Sequence, residues 1–357
     1  MASSHGVPRL AREGDGELVE ENIREYRSLL HLIAAKIQQK IFTDEVLSLT
    51  STLLKKNPEY YTIWNHRRRI LLHQFTNAPN HDAENTSSAS PAPTIRGLIA
   101  KDLRFIVPLL VQYPKCYWIW NYRLWMLHQA EKHLEPPTVQ QLWQEELDLV
   151  SKMLTRDERN FHGWGYRRHV VTQLENFVPP GQPSLVEQEF AYTSKMIKAK
   201  LQNFSALHYR SKLIPRLLEE RKADGKARRA MLEAELDNMQ DALIDPFNQS
   251  AWFYHQYLMS TLDPGCLEKD RIVLDSTLSD RLQYYEQELE RITEITEDFD
   301  DCKWVYEALL QYSIDYSKLK GSSSSNQKEI QSWLDTLQRL DPMRSGRWRE
   351  LENSLKL

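Results

Sequence analysis

The sequence predicts an all-α fold, a solenoid of stacked helical hairpins, and three observations carry that expectation. First, a frame of Pro, an aromatic, then Trp, with a second aromatic two residues after the Trp and a base three after it, recurs along most of the chain. Second, the Trp, or its replacement, falls at Trp64, Trp120, Trp164, Leu207, Trp252, Trp304 and Trp348, in steps of 56, 44, 43, 45, 52 and 44 residues, and Pro58, Pro114, Pro246 and Pro342 each sit six residues before their marker. Third, the 357 residues hold 10 Trp against 11 Gly, a balance that suits helices better than sheets. Units of this length cannot bury their apolar faces alone, so they stack, and the default role of such an array is a concave binding surface.

The elements follow in order. A polar arm over 1–17 is expected to be flexible, and the helical-repeat domain runs over 18–357. From Leu18 to Ala35, Ile23, Tyr26, Leu29, Leu30 and Ile33 share one side at helical spacing. Thr43 offers an N-cap with Asp44 and Glu45 in the first turn, and Asn57-Pro58 ends that helix. A partner helix starts near Tyr61 and carries Trp64, Arg67, Arg68, Leu71 and Phe75. Residues 76–94 are too polar to repay ordering and read as a disordered insertion. Leu98, Leu103, Ile106, Val107, Leu109 and Leu110 resume the pattern, with Pro108 expected to kink or shorten the helix before Tyr113-Pro114 ends it. Trp120, Arg123, Leu124, Leu127 and His128 mark the next helix, and Pro136-Pro137-Thr138 opens another pair. The two longer steps have visible causes, the insertion before Trp120 and the segment from Leu262 to Ser276 before Trp304.

Composition narrows the function. A net charge of −4 argues against bulk electrostatic binding to nucleic acid. Cys116, Cys266 and Cys302 are few and scattered, which points to a reducing, cytoplasmic setting rather than a disulfide framework or a Cys-rich zinc site. Neither a signal peptide nor a run long enough to cross a bilayer is evident, so no membrane insertion is expected. Gly-rich phosphate loops, HExxH and nucleophile elbows are not found.

The marker tryptophans read as packing wedges between helices. Arg67, Arg123, Arg167, Arg210 and His255, three residues beyond their markers, lie on nearly the same face and must pair with something. Two arrangements are open, an internal ladder with acids or carbonyls of the neighbouring repeat, or an electropositive groove for an anion. Lys115 stands apart. It sits in a turn with Tyr117 two residues on, while the same offset elsewhere holds Glu59, Arg159, Gln202, Phe247, Phe299 and Met343. A solvated lysine is the bland alternative.

Several stretches resemble the protein prenyltransferase α-subunit family, on its Rab geranylgeranyltransferase side. Asn57-Pro58-Glu59-Tyr60-Tyr61-Thr62-Ile63-Trp64-Asn65-His66-Arg67-Arg68 is similar to its first motif and Asn160-Phe161-His162-Gly163-Trp164-Gly165-Tyr166-Arg167-Arg168 to its third. Asn203-Phe204-Ser205 with His208-Tyr209-Arg210-Ser211 matches the fourth, where Leu207 departs from the usual Trp, and Gln249-Ser250-Ala251-Trp252-Phe253-Tyr254-His255 matches the fifth.

The resemblance implies a right-handed α-α superhelix of prenyltransferase α-subunit repeats wrapped around a β subunit. That partner holds the catalytic zinc and the isoprenoid pocket, and this chain binds no cofactor by itself. The substrates implied are geranylgeranyl diphosphate and the C-terminal cysteines of a Rab GTPase presented by a Rab escort protein. Lys115 and Tyr117 are the implied catalytic residues, the lysine reaching the diphosphate so that it stabilises charge growing on the leaving group. Asn160 and His162 occupy the corresponding turn of the next repeat as candidate substrate-binding residues. His5, in His5-Gly6, matches a histidine that can approach the partner's zinc as an additional ligand, with an ordinary N-terminal histidine as the other reading. The shared repeat leaves two alternatives, the α subunit of farnesyltransferase or geranylgeranyltransferase type I, and a non-catalytic helical-repeat scaffold. The chain has no room for the immunoglobulin-like insertion and leucine-rich repeats of animal Rab enzymes, so it resembles the compact fungal form.

Overall fold

The structure, a computed structural model, describes residues 15–78, 94–321 and 327–355. Among these residues every regular element is a helix, fifteen α-helices and two short 3-10 turns, which is the all-α, hairpin-repeat class that the frame predicts. Contacts divide the chain into two compact units, Met1–Phe177 and Val178–Leu357.

The first unit contains α1 (Asp15–Gln38), α2 (Asp44–Lys56), α3 (Tyr61–Asn77), α4 (Ile95–Gln112), α5 (Tyr117–His133), α6 (Pro136–Arg156) and α7 (Phe161–Glu175). Helices α2 and α3, α4 and α5, and α6 and α7 form successive hairpins, and α3, α5 and α7 also touch from one hairpin to the next. The Thr43 hydroxyl caps α2 by accepting from the Val46 amide. The first helix starts at Asp15 and extends to Gln38, three residues beyond the expected end. Its apolar stripe is only partly covered, because Ile33 is buried while Val19 and Ile23 are exposed.

Pro108 behaves differently from the expectation, since α4 runs through it to Gln112. Proline removes one amide, which would have bonded to the Arg104 carbonyl. Buried Ile106, Leu109 and Leu110 on either side hold the turn in place. The expected insertion at 76–94 lies largely outside the described residues, as do His5 and most of the N-terminal arm; α3 continues to Asn77, and Thr94 caps α4 at the Gly97 amide.

The second unit contains α8 (Val186–Ala199), α9 (Phe204–Glu220), α10 (Gly225–Ala242), α11 (Gln249–Ser260), α12 (Leu278–Asp298), α13 (Lys303–Lys320), α14 (Gln327–Leu340) and α15 (Ser345–Leu355). The pairs α8/α9, α10/α11 and α12/α13 repeat the hairpin, and α9, α11 and α13 again touch in sequence. Here Pro215 sits inside α9, and the Ser211 carbonyl that it leaves without an amide accepts instead from the Tyr257 hydroxyl at 2.8 Å.

The marker tryptophans are core. Trp64, Trp120, Trp164, Trp252 and Trp348 are buried, each burial stabilising by roughly 3 kcal/mol on area grounds, whereas Trp304 is only half-buried. The spacing of six residues back to the proline also has a cause. The indole N–H of Trp64 donates to the Pro58 carbonyl, that of Trp120 to Pro114 and that of Trp252 to Pro246, at 2.7–2.8 Å. Trp164 makes the same bond to the Glu158 carbonyl at 2.8 Å, so the turn requires a carbonyl and not the proline ring. The frame ends at Trp348, whose buried indole nitrogen finds no acceptor among the described residues despite Pro342.

Candidate functional site

Arg67, Arg123, Arg210 and His255, three residues past their markers, form the internal ladder, not an open groove. Arg67 donates from Nε to Asp102 at 3.0 Å, pairs with it again through its terminal nitrogen, and bonds to the Leu47 carbonyl, Thr50 and Ser51. Arg123 forks onto Glu146 at 2.5 and 2.6 Å, and Arg210 onto Glu235 at 2.7 Å. Each acid comes from the first helix of the following hairpin. Each also accepts from the tyrosine two residues past the next marker: Tyr122 on Asp102 at 2.7 Å, Tyr166 on Glu146 at 2.5 Å and Tyr254 on Glu235 at 2.6 Å.

The recurring second aromatic is therefore the third member of a buried Arg–acid–Tyr set. Burial, then the adjacent carboxylate, pushes all three tyrosine hydroxyls well above the ordinary range, so they stay protonated and donate. Burial works against charge on Arg67, Arg123 and Arg210, but their acid partners more than offset it. His255 varies the theme, with Nε2 2.8 Å from Glu288 and Nδ1 2.7 Å from the Tyr312 hydroxyl. These charges are matched inside the protein and are unavailable to a ligand.

The turns between paired helices remain for chemistry. The carbonyls of Pro58, Pro114 and Pro246, which accept a tryptophan, each also accept from the helix cap of the next hairpin. Cys116, the N-cap residue of α5, places its thiol 3.5 Å from the Pro58 carbonyl. Asn160, the N-cap of α7, donates to the Pro114 carbonyl at 3.1 Å, and Cys302 donates to that of Pro246 at 3.1 Å. In the second unit Ser250 reaches the Gln202 carbonyl at 3.0 Å. Pro114 is thus clamped from two sides, and Lys115 follows directly on it.

Lys115 keeps 81% of its side chain exposed and stands 3.9 Å from Asp157, its ion-pair partner among the described residues. Tyr117 opens α5 and is 54% exposed. Its ring lies 5.4 Å from Trp118 and 6.1 Å from His162, while Trp118 reaches Tyr61 at 5.3 Å and His162 reaches Phe161 at 5.8 Å. These rings make a continuous aromatic ledge along one edge of the first unit, with the Lys115 turn beside it. Sequence reasoning picked out Lys115, Tyr117 and His162 but missed Tyr61, Trp118 and Phe161. The signal for two of them was present, since Tyr61 and Phe161 open their helices three residues before a marker, as Tyr117 does.

Asn160 lies in the turn of the next hairpin but is buried, with its amide committed. Its oxygen accepts from the Gly163 amide at 2.9 Å and its nitrogen donates to Pro114 and, at 3.4 Å, to Asp157. Its chemistry is that of a strut under the lip. Gly163 belongs to the same construction, because a Cβ there would meet Leu154 at 3.0 Å. Among the described residues no three His, Cys, Asp or Glu side chains converge as metal ligands. The lip offers one amine, one carboxylate and one imidazole, which is not a zinc site, and no step is assigned to a metal held here. No helix of the described residues is long and apolar enough to cross a membrane.

Comparison with known proteins agrees with this architecture. Residues 43–74, 99–130, 143–174, 186–217 and 232–262 match the protein prenyltransferase alpha subunit repeat. The geranylgeranyl transferase type-2 subunit alpha of Schizosaccharomyces pombe is 32% identical over 98% of this chain and 98% of its own length. Its Saccharomyces cerevisiae counterpart is 36% identical over 67% of this chain and 66% of its own length. The human protein of that name is 34% identical over 69% of this chain and 39% of its own. In fold, the chain is similar to Candida albicans protein geranylgeranyltransferase-I complexed with GGPP, at a TM-score of 0.59 and 20% identity, covering 93% of this chain and 91% of that one. The chain belongs to the protein prenyltransferase α-subunit family, and its relatives across fungi and mammals are type-2 geranylgeranyltransferase α subunits.

Proposed function

We propose that this chain is the α subunit of a heterodimeric, cytoplasmic Rab geranylgeranyltransferase. It would act with a β subunit, on a Rab GTPase delivered by an escort protein, and move the geranylgeranyl group from its diphosphate to C-terminal cysteines. The observation that carries this reading is the Lys115 turn, an exposed ammonium on a doubly clamped carbonyl beside an aromatic ledge. Relatives named as type-2 α subunits favour it over the farnesyl or type I reading and over a scaffold without chemistry.

In this reading zinc would be held by the β subunit, where it would keep the Rab cysteine as a thiolate. As the thiolate carbon–sulfur bond forms and the carbon–oxygen bond breaks, negative charge gathers on the departing diphosphate. Lys115 meets that charge, and its rigid turn limits how far the ammonium must move to do so. The Tyr117 hydroxyl and the His162 ring line the same mouth, and Asn160 holds the turn beneath them. His5, outside the described residues, is proposed as an extra ligand for the partner's zinc. Unchanged zinc affinity of the His5→Ala heterodimer would assign it no such part.

The deciding experiment offers the heterodimer an escort-dependent Rab and, separately, a short C-terminal tetrapeptide. Transfer to the Rab alone is expected. Transfer to the tetrapeptide would move the chain to the type I or farnesyl branch, and no transfer with any β subunit would leave a scaffold.

A further inference from the structure

Lys115 is the departure from the repeat, and Asp157 is the acid that stands opposite it. Asp157 occupies the C-cap of α6, seven residues before its marker, a place that Asp245 and Asp341 share and where Asn57, Tyr113 and Lys200 stand in other turns. The acid and the lysine fall in adjacent turns, with Nζ and Oδ2 3.9 Å apart. The cap itself needs only the Asp157 backbone, whose amide donates to the Met153 carbonyl at 3.1 Å. The carboxylate is held separately by Asn160, the strut already fixed to Pro114 and Gly163.

The two partners are held unequally. The carboxylate is two-thirds covered and anchored, whereas the ammonium sits at the end of an exposed four-carbon stem. A separation beyond hydrogen-bond length, in water, makes a weak hold. A multiply charged anion arriving at the lip would take the ammonium from it.

We infer that Asp157 is a positioning residue for Lys115, receiving its ammonium between turnovers and competing for it with the diphosphate. This rests on the proposed role of Lys115 and deepens it. The competition lowers affinity for a diphosphate that carries no isoprenoid, and so favours departure of the product once the prenyl group has moved. No bond is made or broken by Asp157; it changes only where the lysine rests.

The test measures inhibition of prenyl transfer by inorganic diphosphate in the assembled heterodimer. Asp157→Asn is expected to lower the half-inhibiting concentration about three- to tenfold, as loss of one exposed competing charge implies. Asp157→Glu is expected to keep it near the parent value, which controls for folding. In a Lys115→Ala background the Asp157→Asn effect is expected to vanish, because the two act as a pair. The inference is overturned if Asp157→Asn leaves inhibition unchanged, or if it tightens inhibition equally without Lys115, which would mean general repulsion. If Lys115→Ala alone alters neither transfer nor inhibition, the role of Lys115 itself fails, an outcome distinct from both.

Discussion

The carboxylate of Asp102 in α4 holds Arg67 of the preceding hairpin and accepts from Tyr122 of its own, so a single buried acid joins two repeats. Leaving the guanidinium buried without its acid is the costly change. Asp102→Ala is expected to destabilise the chain by about 3–5 kcal/mol in urea unfolding. Replacing Arg67, Asp102 and Tyr122 together by Met, Leu and Phe is expected to cost less than that single change, since no buried charge is then left unpaired. Equal losses would show that the set contributes packing and no electrostatic balance.

The tryptophan bond gives a paired comparison. Trp120→Phe loses ring area and also leaves the Pro114 carbonyl short of one of its two donors, whereas Trp348 donates to nothing among the described residues. Trp120→Phe is therefore expected to destabilise by about 1 kcal/mol more than Trp348→Phe, read from thermal or chemical unfolding.

For the proposed chemistry, Lys115→Ala in the heterodimer is expected to slow single-turnover prenyl transfer by about 10- to 1000-fold, or about 1.4–4 kcal/mol. Binding of the isoprenoid diphosphate should weaken less, because the charge that the lysine meets is largest in the transition state. Lys115→Arg should recover part of the rate. Transfer unchanged by Lys115→Ala would return this residue to the status of a solvated lysine.

Acid sensitivity should be traceable to His169. Its ring packs 5.7 Å from His128 and 5.8 Å from Trp143, with Glu131 beside them, and its Nε2 has no partner among the described residues. Burial, and then the charge of His128, hold its pKa below the ordinary histidine value. The unfolded chain therefore takes up this proton more readily, and the stability at stake is complete above about pH 6.5 and declines as pH falls through the lowered folded value. His169→Gln is expected to flatten the fall in melting temperature below about pH 6.5, with some slope left by His66, which burial and then Arg69 also lower. An unchanged profile would remove His169 from the account.

The fold was legible because its signal is repeated. One Trp is ambiguous, but Pro58, Pro114 and Pro246 at a constant distance from Trp64, Trp120 and Trp252 describe a bond made three times. The pairing of Arg67, Arg123 and Arg210 was legible only as a need, because their acids lie 23–35 residues away on another helix, at separations that periodicity does not fix. Pro108 misled because propensity counts a lost amide and not the buried neighbours that hold the helix on course. At the lip, Lys115 stood out by breaking the pattern, and Tyr117 by its place two residues on. Trp118 did not, since its place on the ledge depends on meeting Tyr61 from the previous hairpin.

The shared Pro114 carbonyl, taken by Trp120 from its own hairpin and by Asn160 from the next, also bears on how such a chain can be altered. A hairpin is not the exchangeable part. The turn that carries Lys115 is finished by a side chain 46 residues downstream, so a graft that moved the second hairpin alone would carry the lysine and leave behind half of what aims it. Any transplant, deletion or recombination that preserves the lip must cut beyond Asn160, which makes the smallest portable segment one hairpin together with the cap of its successor.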